Sequence, residues 1–455
     1  MQLKPTVVRL SGHMYEESIP AAEKEQEITM AEFLAETGSD RTYNTMLQKL
    51  TTANARLQHQ IDNGAGEEDI IESMQNVASV QWDLGTLNEA QSLQESILSK
   101  LMALHSNNAV SGNEPPKHMD IAITMHTIGS IQSRLVNPRE AEKWFNAAFH
   151  MKKELLSDYS FHYKIGKTLN GLALVKMQLD HEEEIESDPM QFVQLLGEAV
   201  DHYVYHGERK DETEVEEEVD DMADHPHVAS INENMAMIYR KYGDLNMALQ
   251  KYENALRIHK HWISDFDMNL NGNENIMNLN MHCGDCFQGL EKFDKALERY
   301  EEALRQHHLV VRREAAQVED VPVQESRKLE AITPIAGILI HNMGLMHSQQ
   351  GRHTEAMIEF QAALDIKKSF GEHHPEVANT LNAIGAMKAS QGQADSALAH
   401  FKEALEIFRM NSNVTDENQD EDIHQTQMNI KLVEENLAGK GSARLGGGRM
   451  RGTTF

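Results

Sequence analysis

The sequence predicts an all-α protein, a solenoid of stacked helix–turn–helix hairpins. Three observations lead to this prediction. A triplet recurs along the chain: an alanine or large apolar residue, a residue four positions on that is large in most copies, and a third residue three positions further, usually alanine. This spacing places all three on one face of an α-helix. A glycine or alanine stands twelve residues before most of these triplets. No segment shows the polar–apolar alternation of a half-buried β-strand.

The clearest hairpin spans residues 370–409. The buried face of its second helix is predicted to consist of Ala397, Phe401 and Ala404. Gly392 marks the turn, and Gly385 on the first helix is small enough to let the two helices cross closely. A single hairpin of this kind leaves one apolar side uncovered, so it requires neighbours.

The neighbours are visible as further copies of the triplet. They are Ala356, Phe360, Ala363; Ala296, Tyr300, Ala303; Ala248, Tyr252, Ala255; Ala141, Phe145, Ala148; and, in degenerate form, Ala90, Gln94, Ile97 and Phe192, Leu196, Ala199. The small first-helix residues in the same register are Gly385, Gly344, Gly284, Ala236, Gly129 and Ala78. So many residues in one register indicate an internal repeat.

The pattern resembles the tetratricopeptide repeat, a helix–turn–helix unit with small residues at fixed positions and a large one between them. Residues 371–382 resemble the repeats of the kinesin light chain family, and residues 224–229 are similar to them. The resemblance implies a right-handed superhelical solenoid of about seven repeats. They are expected near 69–104, 119–155, 161–204, 227–262, 276–312, 335–370 and 376–410, followed by a capping helix at 420–437.

The segments outside the repeats have distinct compositions. Residues 1–40 lack a sustained period and are predicted to be mostly disordered, so that the solenoid would span 41–437. An acidic insert occupies 211–224, and the glycine-rich basic segment 438–455 is predicted to be a disordered tail. Like charges in such runs repel each other and rarely pack.

The charge balance excludes several kinds of partner. The formal net charge of −30 argues against nucleic acid, which needs cations to neutralise its phosphates, and against an anionic lipid surface.

No apolar run is long enough to span a membrane, and the N-terminus lacks the apolar core of a signal peptide. Two cysteines fit a reducing compartment, so we predict a cytoplasmic protein.

The sequence offers few residues for catalysis. Cys283 and Cys286 form a lone CxxC motif, and its position inside a predicted first helix favours structural thiols. The 24 histidines are scattered among different repeats. We therefore predict no catalytic residues, no metal site, no cofactor and no enzyme activity, and interpret the chain as a binding protein.

The register also locates a candidate binding surface. In stacked hairpins of this kind, the first helix of each repeat faces an inner groove. The predicted peptide-binding residues at groove positions are Asn170, Asn234, Asn278, Asn342, Asn379 and Asn382, together with the cations Arg134, Lys167, Arg240 and Lys241. An amide both donates and accepts, so a row of asparagines suits the backbone of an extended peptide. The light-chain resemblance implies the same role for these asparagines.

Two functions of different class follow from these features. The first is a scaffold or adaptor that binds an extended, partly apolar and acidic segment of a partner protein, as a kinesin-light-chain-like cargo adaptor would. The alternative is a regulatory or sensor subunit of an enzyme or signalling complex, controlled by the basic tail. The lysine–asparagine pair of a carboxylate clamp is absent from the expected positions. The sequence leaves open the partner's identity and the oligomeric state.

Overall fold

A computed structural model describes residues 40–106, 116–182, 188–205, 223–265, 270–316, 333–411 and 417–438. Sixteen α-helices and no strand occur within these ranges, which confirms the all-α class. The helices are α1 Asp40–Asp62, α2 Glu67–Asp83, α3 Leu87–His105, α4 Met119–Arg134, α5 Pro138–Leu155, α6 Tyr163–Glu182, α7 Met190–Val204, α8 Pro226–Lys241, α9 Leu245–Asp265, α10 Leu270–Gly289, α11 Phe293–Ala316, α12 Pro334–Gln349, α13 His353–Phe370, α14 Pro375–Ser390, α15 Ala394–Asn411 and α16 Glu417–Ala438.

These helices fall into two compact units, one ending at Ile238 and one beginning at Tyr239. In the first unit, consecutive helices from α1 to α7 pack against each other as antiparallel hairpins. In the second unit, the helices from α9 to α16 pack in the same consecutive manner. Most of the acidic insert, the N-terminal segment and the basic tail lie outside the described residues, so the predictions made for them stay predictions.

The recurring triplets form the buried contact between the two helices of each hairpin. Ala397, Phe401 and their counterparts are buried, including the degenerate copies at Ala90 and Phe192. The small residue on the facing helix makes room for the ring. A Cβ atom built on Gly284 would lie only 2.6 Å from Cε1 of Tyr300, so a side chain there would collide with the ring. Apolar burial of this kind is the main source of stability in a helical repeat.

The hairpin turns share one backbone feature. Five residues before the triplet's alanine, the chain has a positive φ, which glycine adopts without steric cost. Four of these turn residues are glycines: Gly85, Gly243, Gly351 and Gly392. Val136 and Glu291 occupy the same place in two other hairpins, each with φ of 58°. A valine in this conformation is strained because its branched Cβ crowds the backbone.

A further helix packs against the first hairpin of the first unit and another against the last hairpin of the second unit. Leu57 of α1 packs against the apolar cluster of the first hairpin, which includes Ile71 and Ile97. At the other end, Val433 of α16 is buried in one cluster with Phe401 and Ala397. Each of these two hairpins therefore buries apolar side chains against a further helix.

Candidate partner-binding surface

Some first helices of successive hairpins contact each other directly within a unit. We call α2, α4, α6, α8, α10, α12 and α14 the first-helix layer. In the first unit α4 contacts α6, and in the second unit α12 contacts α14, which in turn contacts α16. Side chains on these helices can therefore bond from one hairpin to the next, and the predicted binding residues all lie on them.

Two of the predicted asparagines bond to each other. Nδ2 of Asn234 on α8 donates to Oδ1 of Asn170 on α6 at 2.9 Å. Asn234 is buried and Asn170 is half-buried. An amide has two N–H donors and an oxygen that can accept two hydrogen bonds. This bond uses one donor of Asn234 and one acceptor position of Asn170. The pair links neighbouring first helices and keeps part of its polar surface accessible at Asn170.

Three other predicted asparagines are buried in the second unit. Asn382 donates to Oγ1 of Thr426 on α16 at 2.7 Å, and Asn379 donates to Oε1 of Glu376 at 3.3 Å. The side-chain oxygens of Asn342, Asn379 and Asn382 are buried and accept no hydrogen bond from the described residues. A buried acceptor without a donor is costly, at about 1–3 kcal/mol. Three such oxygens in consecutive first helices mark this part of the layer as polar and under-satisfied.

Arg240 is held by its own chain. Its Nη1 donates to Oδ2 of Asp285 on α10 at 3.4 Å and lies 3.4 Å from Nδ1 of His282. The phenol of Tyr300 donates to the other carboxylate oxygen of Asp285 at 2.8 Å. Burial and the neighbouring carboxylate raise the pKa of Tyr300, so the phenol remains a donor. The guanidinium is therefore only partly available to a ligand.

The remaining predicted residues are more accessible. Lys167 and Lys241 are exposed, and Asn278 and Arg134 are half-buried. The guanidinium carbon of Arg134 lies 4.5 Å from the centre of the Trp82 ring, a cation–π contact between α4 and α2. The structure brings Asn170 and Asn234 into contact. Asn379 and Asn382 share α14, and Arg240 and Lys241 share α8.

Sequence reasoning missed a buried polar triad that occurs twice. In the first unit, Nζ of Lys152 donates to Oγ1 of Thr168 at 2.8 Å, and that hydroxyl lies 3.3 Å from Nδ1 of His126. His126 also packs against the ring of Phe145, with centroids 5.2 Å apart. All three polar residues are buried, and the triad joins one hairpin to the next.

The second unit repeats this arrangement. Nζ of Lys367 donates to Oγ1 of Thr380 at 3.1 Å, and the hydroxyl lies 3.2 Å from Nδ1 of His341. His341 packs against Phe360 with centroids 5.4 Å apart. Burial lowers the pKa of both His126 and His341, so both imidazoles are neutral at physiological pH. The signal in the sequence is the spacing of 26 residues from histidine to lysine in both triads.

Burial disfavours the reactive thiolate form of both cysteines. Cys283 and Cys286 are free thiols and fully buried, and burial raises the pKa of each to about 12.

Among the described residues one histidine–carboxylate group has metal-ligand spacing: His105, His118 and Asp120. The two rings stack 3.8 Å apart, and Nδ1 of His118 accepts from the backbone N–H of Asp120 as a helix cap. This contact gives His118 a structural role.

One segment matches a known family. Residues 335–410, which hold helices α12 to α15, match the family model of the tetratricopeptide repeat. These residues are tetratricopeptide repeats. The tetratricopeptide hairpins α12–α13 and α14–α15 contain the second buried triad and the under-satisfied asparagines, so both features lie within or between recognised repeats. No curated protein matches the chain by sequence.

Several solved structures of helical-repeat proteins are similar to the chain. BtubC from P. vanneervenii is 16% identical, with 62% of this chain and 93% of that chain covered and a TM-score of 0.40. The TPR-like repeats of a Podosopora anserina kinesin light chain are 14% identical, with coverage of 56% and 99% and a TM-score of 0.37. The apo form of RapI is 14% identical, with coverage of 81% and 86% and a TM-score of 0.48. Separately, none of the helices in the described ranges is both long and apolar enough to cross a bilayer.

Proposed function

We propose that this protein is a non-catalytic interaction scaffold that binds extended segments of partner proteins along its first-helix layer. One observation carries the proposal: polar side chains of that layer bond laterally from hairpin to hairpin. Asn234 bonds to Asn170 in the first unit, and Arg240 bonds to Asp285 in the second. At the end of the layer, Asn382 bonds to Thr426 of α16, the helix that covers the last hairpin. Such a lateral row presents donors and acceptors to a chain that runs across successive hairpins.

The charges of the layer support an acidic partner segment. Lys167 and Lys241 are exposed on first helices although the whole chain carries a net charge of −30. At physiological salt the Debye length is about 8 Å, so a ligand in contact with these lysines is affected mainly by them. Arg240 contributes less than its sequence position predicts, because Asp285 already neutralises it.

We further propose that the protein acts as an adaptor, that it carries cargo in the manner of a kinesin light chain, and that it is cytoplasmic. The resemblance of residues 371–382 to light-chain repeats supports the first two. The alternative, a regulatory or sensor subunit controlled by the tail from residue 439, depends on a segment outside the described residues.

A display library of unstructured peptides, selected on the full chain, tests the proposal. We expect enrichment of peptides with acidic and apolar residues. Combined Lys167→Glu and Lys241→Glu substitutions should weaken the selected peptides by about tenfold, since charge pairs at an interface contribute to affinity and to association rate. The matched control combines Lys143→Glu and Lys153→Glu, both exposed on second helix α5. A wild-type chain that retains no peptide, or equal weakening by both double variants, would contradict the proposed function.

A further inference from the structure

The two buried triads differ at one charged position beside them. In the second unit, the residue four positions before Thr380 is Glu376, whose Oε2 accepts from Nζ of Lys367 at 2.7 Å. In the first unit, the residue four positions before Thr168 is Lys164. The first triad therefore has a second cation at the position where the other triad has its carboxylate.

The surrounding contacts of the two lysines are otherwise the same. Nζ of Lys367 lies 3.4 Å from the backbone oxygen of Glu376, and Nζ of Lys152 lies 3.2 Å from the backbone oxygen of Lys164. The threonine hydroxyls approach the same two backbone oxygens, at 3.1 Å and 3.3 Å. The backbone contacts are preserved, so the two sites differ in the side chain at this position, which is a carboxylate beside Lys367 and a lysine beside Lys152.

Lys152 is left as a buried ammonium without a counterion. Its side chain is 2% exposed, and its two hydrogen-bond acceptors, the Lys164 backbone oxygen and the Thr168 hydroxyl, are uncharged. Among the described residues no carboxylate lies within ion-pair distance of it. An ammonium has three donors, so one remains. Burial, with repulsion from Lys167 and Lys164, lowers the pKa of Lys152 to about 7.

The two cations that act on Lys152 are not fully buried. Lys164 is half-buried and Lys167, three residues further along α6, is exposed. Both belong to the first-helix layer, where a partner segment is proposed to bind. A carboxylate arriving from outside would meet these two ammonium groups first and the buried one beneath them.

We propose that Lys152, Lys164 and Thr168 form a binding site for a carboxylate of a partner protein, an aspartate or glutamate side chain that takes the position of Glu376 in the second triad. The inference rests on the proposed scaffold function and names the partner chemistry at one place on that surface. The occupant would give Lys152 the carboxylate that Glu376 gives Lys367 in the second unit.

The test uses the full chain and two labelled peptides, hexaglutamate and the uncharged hexaglutamine, in fluorescence anisotropy titrations. Hexaglutamate is expected to bind more tightly than hexaglutamine. Lys164→Glu supplies the internal carboxylate and should weaken hexaglutamate by about tenfold, as loss of a buried charge pair does at interfaces. Lys143→Glu changes the net charge equally on a side chain that is 70% exposed, and should alter affinity by no more than about twofold.

Two further measurements separate the outcomes. The first is thermal unfolding: Lys164→Glu should unfold at the same temperature as wild type or higher, so its weakened binding cannot come from loss of the fold. The second is the affinity of Lys152→Met for hexaglutamate, which should also be weaker than that of wild type. Equal affinity of the Lys164→Glu and Lys143→Glu variants would overturn the inference, as would inorganic phosphate binding more tightly than hexaglutamate at this site. The scaffold proposal would survive both results, because it fails only if the peptide library yields no binder or its two double variants weaken binding equally.

Discussion

Nζ of Lys367 lies 2.7 Å from Oε2 of Glu376, and both side chains are nearly buried, at 4% and 12% exposure. The pair connects α13 to α14 and so joins the last two hairpins. Burial lowers the pKa of Lys367, and Glu376 opposes that shift by stabilising the ammonium. The ion pair therefore matters mainly because each partner would be costly to bury alone.

Replacing Glu376 by glutamine should destabilise the second unit. The substitution leaves a buried ammonium without its counterion, and we expect a loss of about 2–4 kcal/mol in the free energy of unfolding. The combined Glu376→Gln and Lys367→Met variant should lose less than Glu376→Gln alone, because no buried charge remains. Urea denaturation followed by far-UV circular dichroism measures both.

Glu403→Gln is the control for this experiment. Glu403 pairs with Lys368 at 3.0 Å, but both side chains are well exposed, so the loss should stay below about 1 kcal/mol. If Glu376→Gln and Glu403→Gln have the same effect, the buried pair does not contribute as described.

Lys152 gives the protein a pH-dependent stability at alkaline pH. Its folded pKa of about 7 lies below the unfolded value of about 10.4, so between these values the unfolded chain binds more protons. The wild-type chain should therefore gain stability, by a few kcal/mol in order of magnitude, as pH rises from about 7 toward 10. Lys152→Met should be more stable at pH of about 7 and should show a smaller rise, because burial also lowers the pKa of Lys367, Lys167 and Lys251.

Chemical denaturation at a series of pH values measures this effect. Lys153→Met is the neighbouring control, because Lys153 is exposed and should leave the pH dependence unchanged. A parallel rise in wild type and Lys152→Met would mean that Lys152 is not the group responsible.

Val136→Gly should stabilise the turn between α4 and α5. Val136 has φ of 58° and is 45% exposed, so glycine relieves the strain and removes little buried surface. The relief of about 1–2 kcal/mol exceeds the entropic cost of glycine, and we expect a net gain of up to about 1 kcal/mol. Thermal unfolding measures the change, and the reverse substitution Gly392→Val should lower stability. A destabilised Val136→Gly would show that the valine makes contacts that outweigh its strain.

The two thiols should be unreactive in the folded chain. Cys283 and Cys286 are fully buried with pKa values of about 12, so almost no thiolate forms near neutral pH. Ellman's reagent is expected to detect no thiol in the native protein and both thiols after unfolding in urea. Rapid native labelling would indicate local opening of α10 or a redox role for the CxxC motif.

The period of the sequence was sufficient to predict the helices and their buried faces. Ala397 and Phe401 are buried where the triplet places them, and Gly385 faces the Phe401 ring as its spacing predicts. These features depend on side-chain volume and on a helical repeat, both of which can be read from the residues alone.

The polar contacts were less predictable. Lysine is normally solvated, so nothing in its immediate sequence indicates that Lys152 is buried and bonded to Thr168. The groove register placed Arg240 on a binding surface but could not show that Asp285, forty-five residues away, neutralises it. Such pairs depend on the relative positions of neighbouring hairpins. The helical period of the sequence predicts which face of each helix is buried, but not those positions.

The helix that covers the last hairpin also bears on self-association. A stack of similar hairpins has an end that matches its own beginning, so an uncovered end could receive a second copy and extend into an open-ended fibre. Val433 of α16 occupies the apolar site beside Phe401, and Asn382 bonds to Thr426 of the same helix. In the described chain, a segment of the protein itself fills that site.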